Sequence, residues 1–180
     1  MKPTAVTPPD PNRREVLVTN RFRVVEHRYQ LEPGGPEIAK HVVEHPGAVV
    51  VVPALDDDRV CLIRNHRVAV GETLIELPAG TLEPPEPPAV AAERELQEET
   101  GYRAERFRPL GAFYMSPGIL NERMHVFLAE GLSPGDPARE PGEEIENLVV
   151  PRDEALAMAA DGRIADAKSI AALFLWERGL

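Results

Sequence analysis

The chain has 180 residues, 43% of them hydrophobic, with a formal charge of −10 and a single cysteine, Cys61. That length and apolar content suit one main domain with a buried core and exclude a wholly disordered chain. The acidic balance argues against non-specific nucleic-acid binding, which draws its affinity from Lys and Arg on phosphates, and no apolar run is long enough to span a membrane.

One cysteine rules out an internal disulfide framework and fits a reducing compartment. The opening MKPTAVTPPDPNRR lacks the apolar core of a secretory signal, so the expected location is the cytoplasm. A small phosphorylated substrate stays compatible with the negative charge, because divalent ions can neutralise both partners locally.

Residues 1–13 carry several prolines and read as a disordered arm. REVLVTNRFRVVEHRYQL has the β-branched content of strands, broken at Asn20. EPGGP is a turn and EIAKHVVEH a further strand. Residues 14–45 would therefore form a small antiparallel sheet with little of its own to cover it, and such a sheet is expected to pair with a second subunit.

Residues 46–180 form the main domain. GAVVVVPAL is a continuous apolar run of the kind found in a buried strand. DDDR turns the chain, VCLIRNHR returns, and ETLIELPAG leads on as another strand. ERFRPLGAFYMSPG and ERMHVFLAEGL are two strands around a loop. EPGEEIENLVVPRDEALAMAADG supplies a loop, a strand and a helix. IADAKSIAALFLWERGL closes the chain as an amphipathic helix, with Ile170, Leu173, Phe174 and Leu175 on its apolar side. The order predicts an α/β (α+β) fold, a mixed sheet with helices on its faces.

GTLEPPEPPAVAAERELQEETGY, residues 80–102, holds most of the chemistry. Proline is accepted at a first helical position and Gly101 is a natural stop, so a helix runs from about Pro88 to Thr100. At about 100° per residue, Ala89, Ala92, Leu96 and Thr100 share the core side. Glu95 and Glu99 then lie one turn apart along its edge, and Glu98 lies further round, beside Arg94. Like charges at that spacing, next to a low-dielectric surface, repel or take up protons. Arg94 can offset Glu98. A divalent cation would resolve the rest, since Mg²⁺ and Mn²⁺ prefer oxygen ligands.

The same stretch resembles the signature of the Nudix hydrolases, G-x5-E-x7-R-E-U-x-E-E-x-G-U with U bulky and apolar. The matching residues are Gly80, Glu86, Arg94, Glu95, Leu96, Glu98, Glu99, Gly101 and Tyr102. The resemblance implies a Nudix fold and a loop–helix–loop that binds divalent metal and supports hydrolysis of a substituted diphosphate. It implies metal ligation by Glu95, Glu98, Glu99 and the Ala79 carbonyl, with Mg²⁺ as cofactor and Mn²⁺ possible. Glu98 and Glu99 would serve catalysis, and Arg94 would orient the glutamates through ion pairs. Glu86 would complement the positive end of the helix or approach the metals.

Flanking segments are similar to the ADP-ribose pyrophosphatase branch. ELPAG precedes the box and contains Glu76, which would bond the substrate or support its loop. RNHR carries Arg67, a substrate contact or a strand-end surface arginine. SPG provides Ser116 and Gly118, a wall of the site or a turn, with Glu122 shortly after. The segment Ile119–Arg123 departs from the branch's usual pattern and leaves the sugar or base pocket undefined. GEEIE stands where the branch often carries a mobile acidic loop, making Glu143 and Glu144 the candidate bases. The expected activity is hydrolysis of ADP-ribose or a related nucleoside diphosphate sugar to a nucleoside monophosphate and a sugar phosphate. GDP-mannose, FAD or another dinucleotide is the alternative substrate. A non-catalytic nucleotide-binding sensor is the alternative class, disfavoured because every box glutamate is present.

Overall fold

The computed structural model describes residues 12–56, 58–139 and 144–179. They sort into two compact units. One comprises residues up to His45 together with Ser116–Glu122, the other Pro46–Met115 and the residues from Arg123 onward. The arm expected over residues 1–13 lies, as far as residue 11, outside the described residues, and Arg13 already opens a strand.

The first unit is an antiparallel three-stranded sheet of β1 (Arg13–Val18), β2 (Arg23–Gln30) and β3 (Glu37–Glu44), in that order. The break expected at Asn20 is a turn held by Thr19, whose Oγ1 accepts from the Arg21 and Phe22 amides. Val25 is fully buried, whereas Val16, Leu17 and Val18 are each at least half exposed. Ion pairs cross the sheet, among them Arg13–Glu44, Arg14–Glu26 and Arg28–Glu37. The sheet thus has a thin core with a charged lattice around it, in which Glu26 is the one buried carboxylate among these pairs.

The second unit contains a seven-stranded mixed sheet with main order β10-β5-β4-β9-β8. Its strands are β4 (Ala48–Leu55), β5 (Arg59–Arg67), β6 (Glu72–Glu76), β7 (Ala79–Thr81), β8 (Arg103–Tyr114), β9 (Arg123–Ser133) and β10 (Ile145–Pro151). The run Val49–Val52 is fully buried in β4, which pairs in parallel with β9. Alternate residues serve two cores. Val50 and Val52 join Leu173 and Trp176 on one face, and Val49 and Val51 join Ala92 and Leu96 on the other. Helix α1 (Pro88–Thr100) covers the second face, while α2 (Arg152–Asp161) and α3 (Ala167–Glu177) cover the first. A strand covered on both sides reads as an unbroken apolar run.

ETLIELPAG, expected as one strand, is two. β4 and β5 pair only at Ala54–Leu55 against Arg59–Val60 and then diverge. β6 pairs with β5, and β7 pairs with β4. The chain crosses from one to the other at Leu77–Pro78, where the Pro78 carbonyl accepts the Val51 amide at 2.9 Å. Proline has no amide to give a ladder, which suits it to this crossing point.

Two expected core faces need correction. In α1, Ala89 is exposed and Ala91 is fully buried; the covered side is Ala91, Ala92, Glu95, Leu96, Glu99 and Thr100. Ala89 belongs to the first turn, where neither Pro88 nor Val90 is buried either. In α3, Ile170 is 37% and Phe174 60% exposed, and the buried side is Lys168, Ser169, Ala172, Leu173 and Trp176. Small and polar residues face inward there because they meet a charged partner, described below.

Candidate active site

Helix α1 has the expected bounds. Pro88 occupies its first turn and Gly101 ends it at φ 80°. A Cβ on Gly101 would also come within 2.5 Å of the Gly135 carbonyl oxygen, so chain packing and backbone geometry both require glycine. The last turn of α1 contains no basic residue. Its free carbonyls are met from outside. The Ala138 amide donates to the Glu98 carbonyl, Arg139 Nε to that of Glu99, and Asn147 Nδ2 to that of Thr100. Helix ends need such partners when buried.

Arg94 commits all five guanidinium donors. Nε and one Nη2 hydrogen grip the two oxygens of Glu86 at 3.0 Å each. Nη1 donates to Glu95 at 2.7 Å and to Glu98 at 3.0 Å, and Nη2 also reaches the Thr81 carbonyl at 3.2 Å. The expected offset of Glu98 is present, and Glu95 shares the same nitrogen. Glu86 thus clasps Arg94 and accepts from the Glu83 amide, tying the loop to the helix. Its hydrogen bonds to Arg94 hold the Glu86 carboxyl below its ordinary range, and the same bonds push the guanidinium of Arg94 upward.

Glu95 and Glu99 are 8% and 3% exposed. Both lean on adjacent residues of β7. The Ala79 amide donates to Glu99 Oε2 at 2.9 Å. The Glu95 carboxylate lies over Gly80, where a Cβ would stand only 1.9 Å from it. Glycine at 80 is therefore the room in which this carboxylate sits. Two buried carboxylates and a half-buried third at Glu98 thus share this part of α1, and carboxylate oxygens are the donor type that hard divalent cations prefer. Among the described residues no three acidic, His or Cys groups converge on a single point. Arg94 draws Glu95 and Glu98, and the Ala79 amide draws Glu99.

A second charged cluster surrounds Glu76, which is 1% exposed. Arg67 binds it with Nε at 2.9 Å and Nη2 at 2.7 Å. Lys168, itself 8% exposed, reaches Glu76 Oε2 at 2.5 Å and Asp166 at 2.9 Å. Asp166 caps α3 by accepting from the Ser169 amide, and Ser169 Oγ accepts the Leu77 amide at 2.7 Å. Burial works to raise the Glu76 carboxyl, but Arg67 and Lys168 outweigh it and hold it below its ordinary value. Arg67 is raised, first by its bonds to Glu76, with smaller help from the charges of Glu99 and Asp166.

The sequence-predicted residues thus fall into groups. Gly80, Glu86, Arg94, Glu95, Glu98, Glu99 and Ala79 assemble around the start of β7 and the edge of α1. Arg67 and Glu76 pair with each other. Ser116, Gly118 and Glu122 belong to the first unit, where the Val43 amide donates to the Ile119 carbonyl and Glu122 stands 3.8 Å from His45. Ser116 and Gly118 are exposed, and the Ser116 carbonyl accepts from the Ile119 and Leu120 amides in a turn. Glu144 is exposed, and Glu143 lies outside the described residues. Sequence reasoning missed Lys168, Asp166 and Ser169. A lysine in the first turn of a helix, against the macrodipole, was the available signal.

The NUDIX domain family matches residues 44–173. The chain is 39% identical over 143 residues to an ADP-ribose pyrophosphatase of Bacillus subtilis (strain 168), covering 78% of this chain and 77% of that protein. It is 36% identical over 143 residues to a methanol dehydrogenase activator of Bacillus methanolicus, with the same coverage. It is 35% identical over 170 residues to a GDP-mannose pyrophosphatase of Citrobacter koseri (strain ATCC BAA-895 / CDC 4225-83 / SGSC4696), covering 87% and 88%. The crystal structure of an ADP compounds hydrolase superposes with a TM-score of 0.81 at 25% identity, covering 94% of this chain and 92% of that one. Family members generally use divalent cations, and among the described residues no helix is long and apolar enough to cross a membrane. With its complete box folded as a loop, a helix and an acidic edge, this chain belongs to the Nudix hydrolase family.

Proposed function

We propose that the chain is a Mg²⁺-dependent pyrophosphatase that hydrolyses ADP-ribose, or a related nucleoside diphosphate sugar, to a nucleoside monophosphate and a sugar phosphate. The observation that carries this reading is the gathering of four box carboxylates along one helix edge and its loop. Glu86, Glu95 and Glu98 share one arginine while Glu99 rests on a backbone amide. The identity to the ADP-ribose pyrophosphatase supports the substrate class.

Glu95, Glu98, Glu99 and the Ala79 carbonyl would hold the cation, Mg²⁺ by preference and Mn²⁺ as a substitute. When bound, the ion offsets phosphate charge and lowers the pKa of water. The protein's own part is positioning and charge. Arg94 orients the glutamates, and the Ala79 amide holds Glu99 in place. Arg67 offers its charge to the diphosphate, and Glu143 or Glu144 accepts the proton as water attacks phosphorus. Glu76 acts through Arg67 in this reading. Positioning and electrostatics account for most of the rate in phosphoryl chemistry of this type.

The test is Glu99→Gln, nearly isosteric, assayed with ADP-ribose and Mg²⁺. Turnover should fall by at least about a hundredfold with the melting temperature retained; full activity in that variant would remove the assignment. GDP-mannose is the second reading, favoured by the longer span of similarity to the GDP-mannose pyrophosphatase. A panel of ADP-ribose, GDP-mannose, FAD and diadenosine polyphosphates decides between them.

The exposed Val16, Leu17 and Val18 of β1 support a homodimer formed through a 14–45 subdomain beside a 46–180 hydrolase domain. Light scattering that gives a monomer mass would remove the dimer. A single cysteine, Cys61, whose thiol burial pushes up to about 12, fits a reducing cytoplasm.

A further inference from the structure

Lys168 is an unfavourable residue where it stands. It lies in the first turn of α3, whose amide ends carry positive partial charge, and it is only 8% exposed. A buried ammonium is tolerated only with close partners. A well-packed apolar side chain would generally serve stability at least as well as a buried ion pair. The residue therefore calls for an explanation beyond packing.

Its partners supply one. Arg67 extends from the end of β5 and is held by Glu76 through two parallel bonds, the arrangement that best fixes a guanidinium. That grip leaves Nη1 and 38% of the Arg67 side-chain surface open. Alone, the same carboxylate would cancel most of the charge it aims. Lys168 supplies a second cation at 2.5 Å on Glu76 Oε2, the oxygen that also accepts Arg67 Nη2. Arg67, Glu76 and Lys168 together then keep a net positive charge. Asp166 contacts Lys168 too, yet its carboxylate accepts both the amide and the hydroxyl of Ser169 at the positive end of α3, which absorbs much of its charge.

The same helical turn reaches the box. Ser169 Oγ accepts the amide of Leu77, next to Glu76, and two residues further Ala79 gives its amide to Glu99. The charge of Glu99 is felt at Arg67. Arg67 thus shares an electrostatic neighbourhood with the acidic edge of α1.

We infer that Lys168 is a positioning residue for Arg67: through Glu76 it lets the guanidinium be fixed in direction without losing its attraction for the anionic diphosphate. The inference rests on the reading of Arg67 as a substrate contact.

Steady-state kinetics with ADP-ribose and Mg²⁺ test it, in the wild type, Lys168→Met, Lys168→Arg and Arg67→Ala, with thermal melts alongside. Lys168→Met should raise KM about tenfold and change kcat by less than about twofold, since what is lost is charge toward the anionic substrate. Lys168→Arg should restore KM to within about threefold of wild type, because it returns the charge. Lys168→Gln keeps a donor without the charge and carries the same expectation as Lys168→Met, should that variant misfold. An unchanged KM, or a fall in kcat alone, in the neutral Lys168 variants overturns the inference while a raised KM in Arg67→Ala leaves the parent reading standing. An unchanged KM in Arg67→Ala removes both the substrate role of Arg67 and the inference built on it. Absence of ADP-ribose turnover by the wild type counts against the proposed substrate, and the same four-way comparison on GDP-mannose then decides the role of Lys168.

Discussion

Two charged clusters in the hydrolase unit make opposite use of similar parts. Around Arg94, the carboxylates of Glu86, Glu95 and Glu98 converge on one guanidinium, and Glu99 is held by an amide. Around Glu76, two cations, Arg67 and Lys168, meet two carboxylates. The first gathers carboxylates along a helix edge; the second sets two cations on the one carboxylate of Glu76, with Glu76 and Lys168 buried and Arg67 open on one side. Paired charges of this kind fix geometry. A cluster with surplus carboxylate repels itself, and a cation relieves it.

The largest expected effect comes from disturbing the unbalanced cluster at its floor. Gly80→Ala places a methyl where the Glu95 carboxylate sits. The obstructed group is the far end of a flexible side chain, so the fold should persist with a nearly unchanged melting temperature. Activity should drop by about a hundredfold, as is typical when a ligand's support is displaced. A fully active Gly80→Ala enzyme would show that the position of Glu95 is unimportant.

Arg94→Lys sharpens the same contrast. Lysine has three donors and no fork, so it cannot serve Glu86, Glu95, Glu98 and the Thr81 carbonyl together. We expect kcat/KM to fall by about tenfold or more. Extra Mg²⁺ should recover part of the loss if the effect is ligand disorder.

Gly101→Ala tests the helix end instead. Its φ of 80° and the 2.5 Å approach to the Gly135 oxygen both oppose a side chain. Destabilisation of about 2 kcal/mol or more is expected in urea titration, with loss of activity only in proportion to unfolding.

The smallest effect concerns pH. The Glu76 carboxyl is held below its ordinary value in the folded chain by Arg67 and Lys168, against the effect of burial. Its charged form therefore adds stability that is fully present above about pH 4.5 and is lost as pH falls from there through the folded value. The stability difference between wild type and Glu76→Gln should shrink over that acid window and stay level above it. A difference that grows on acidification would contradict the pairing of Glu76 with Arg67 and Lys168 as its stabilising contact.

Much of the box was legible because its signals are local. Proline at the start, glycine at the stop and an acidic edge at helical spacing all lie within one short segment. The wheel misplaced Ala89 because it cannot tell which turn lies over the sheet. The crossing at Leu77–Pro78 was missed because it shows only in the pairing: the first half of the segment meets β5 and the second half meets β4, where those two strands have diverged. Ile170 and Phe174 were given to the core on hydrophobicity, yet α3 turns Lys168 and Ser169 inward to meet Glu76 and Leu77, 92 residues earlier.

By itself, then, the sequence determined the helix of the box, its bounds, the crowding of carboxylates along one edge, and the buried valine strand. These follow from short-range backbone preference and from periodicity, which the chain carries wherever it goes. Tertiary structure alone decided that Glu99 meets the Ala79 amide, why residue 80 must be glycine, and that Arg67, Glu76 and Lys168 form one cluster. Such pairings depend on distances between elements far apart in the chain, and long-range Coulomb and steric terms have no local signature.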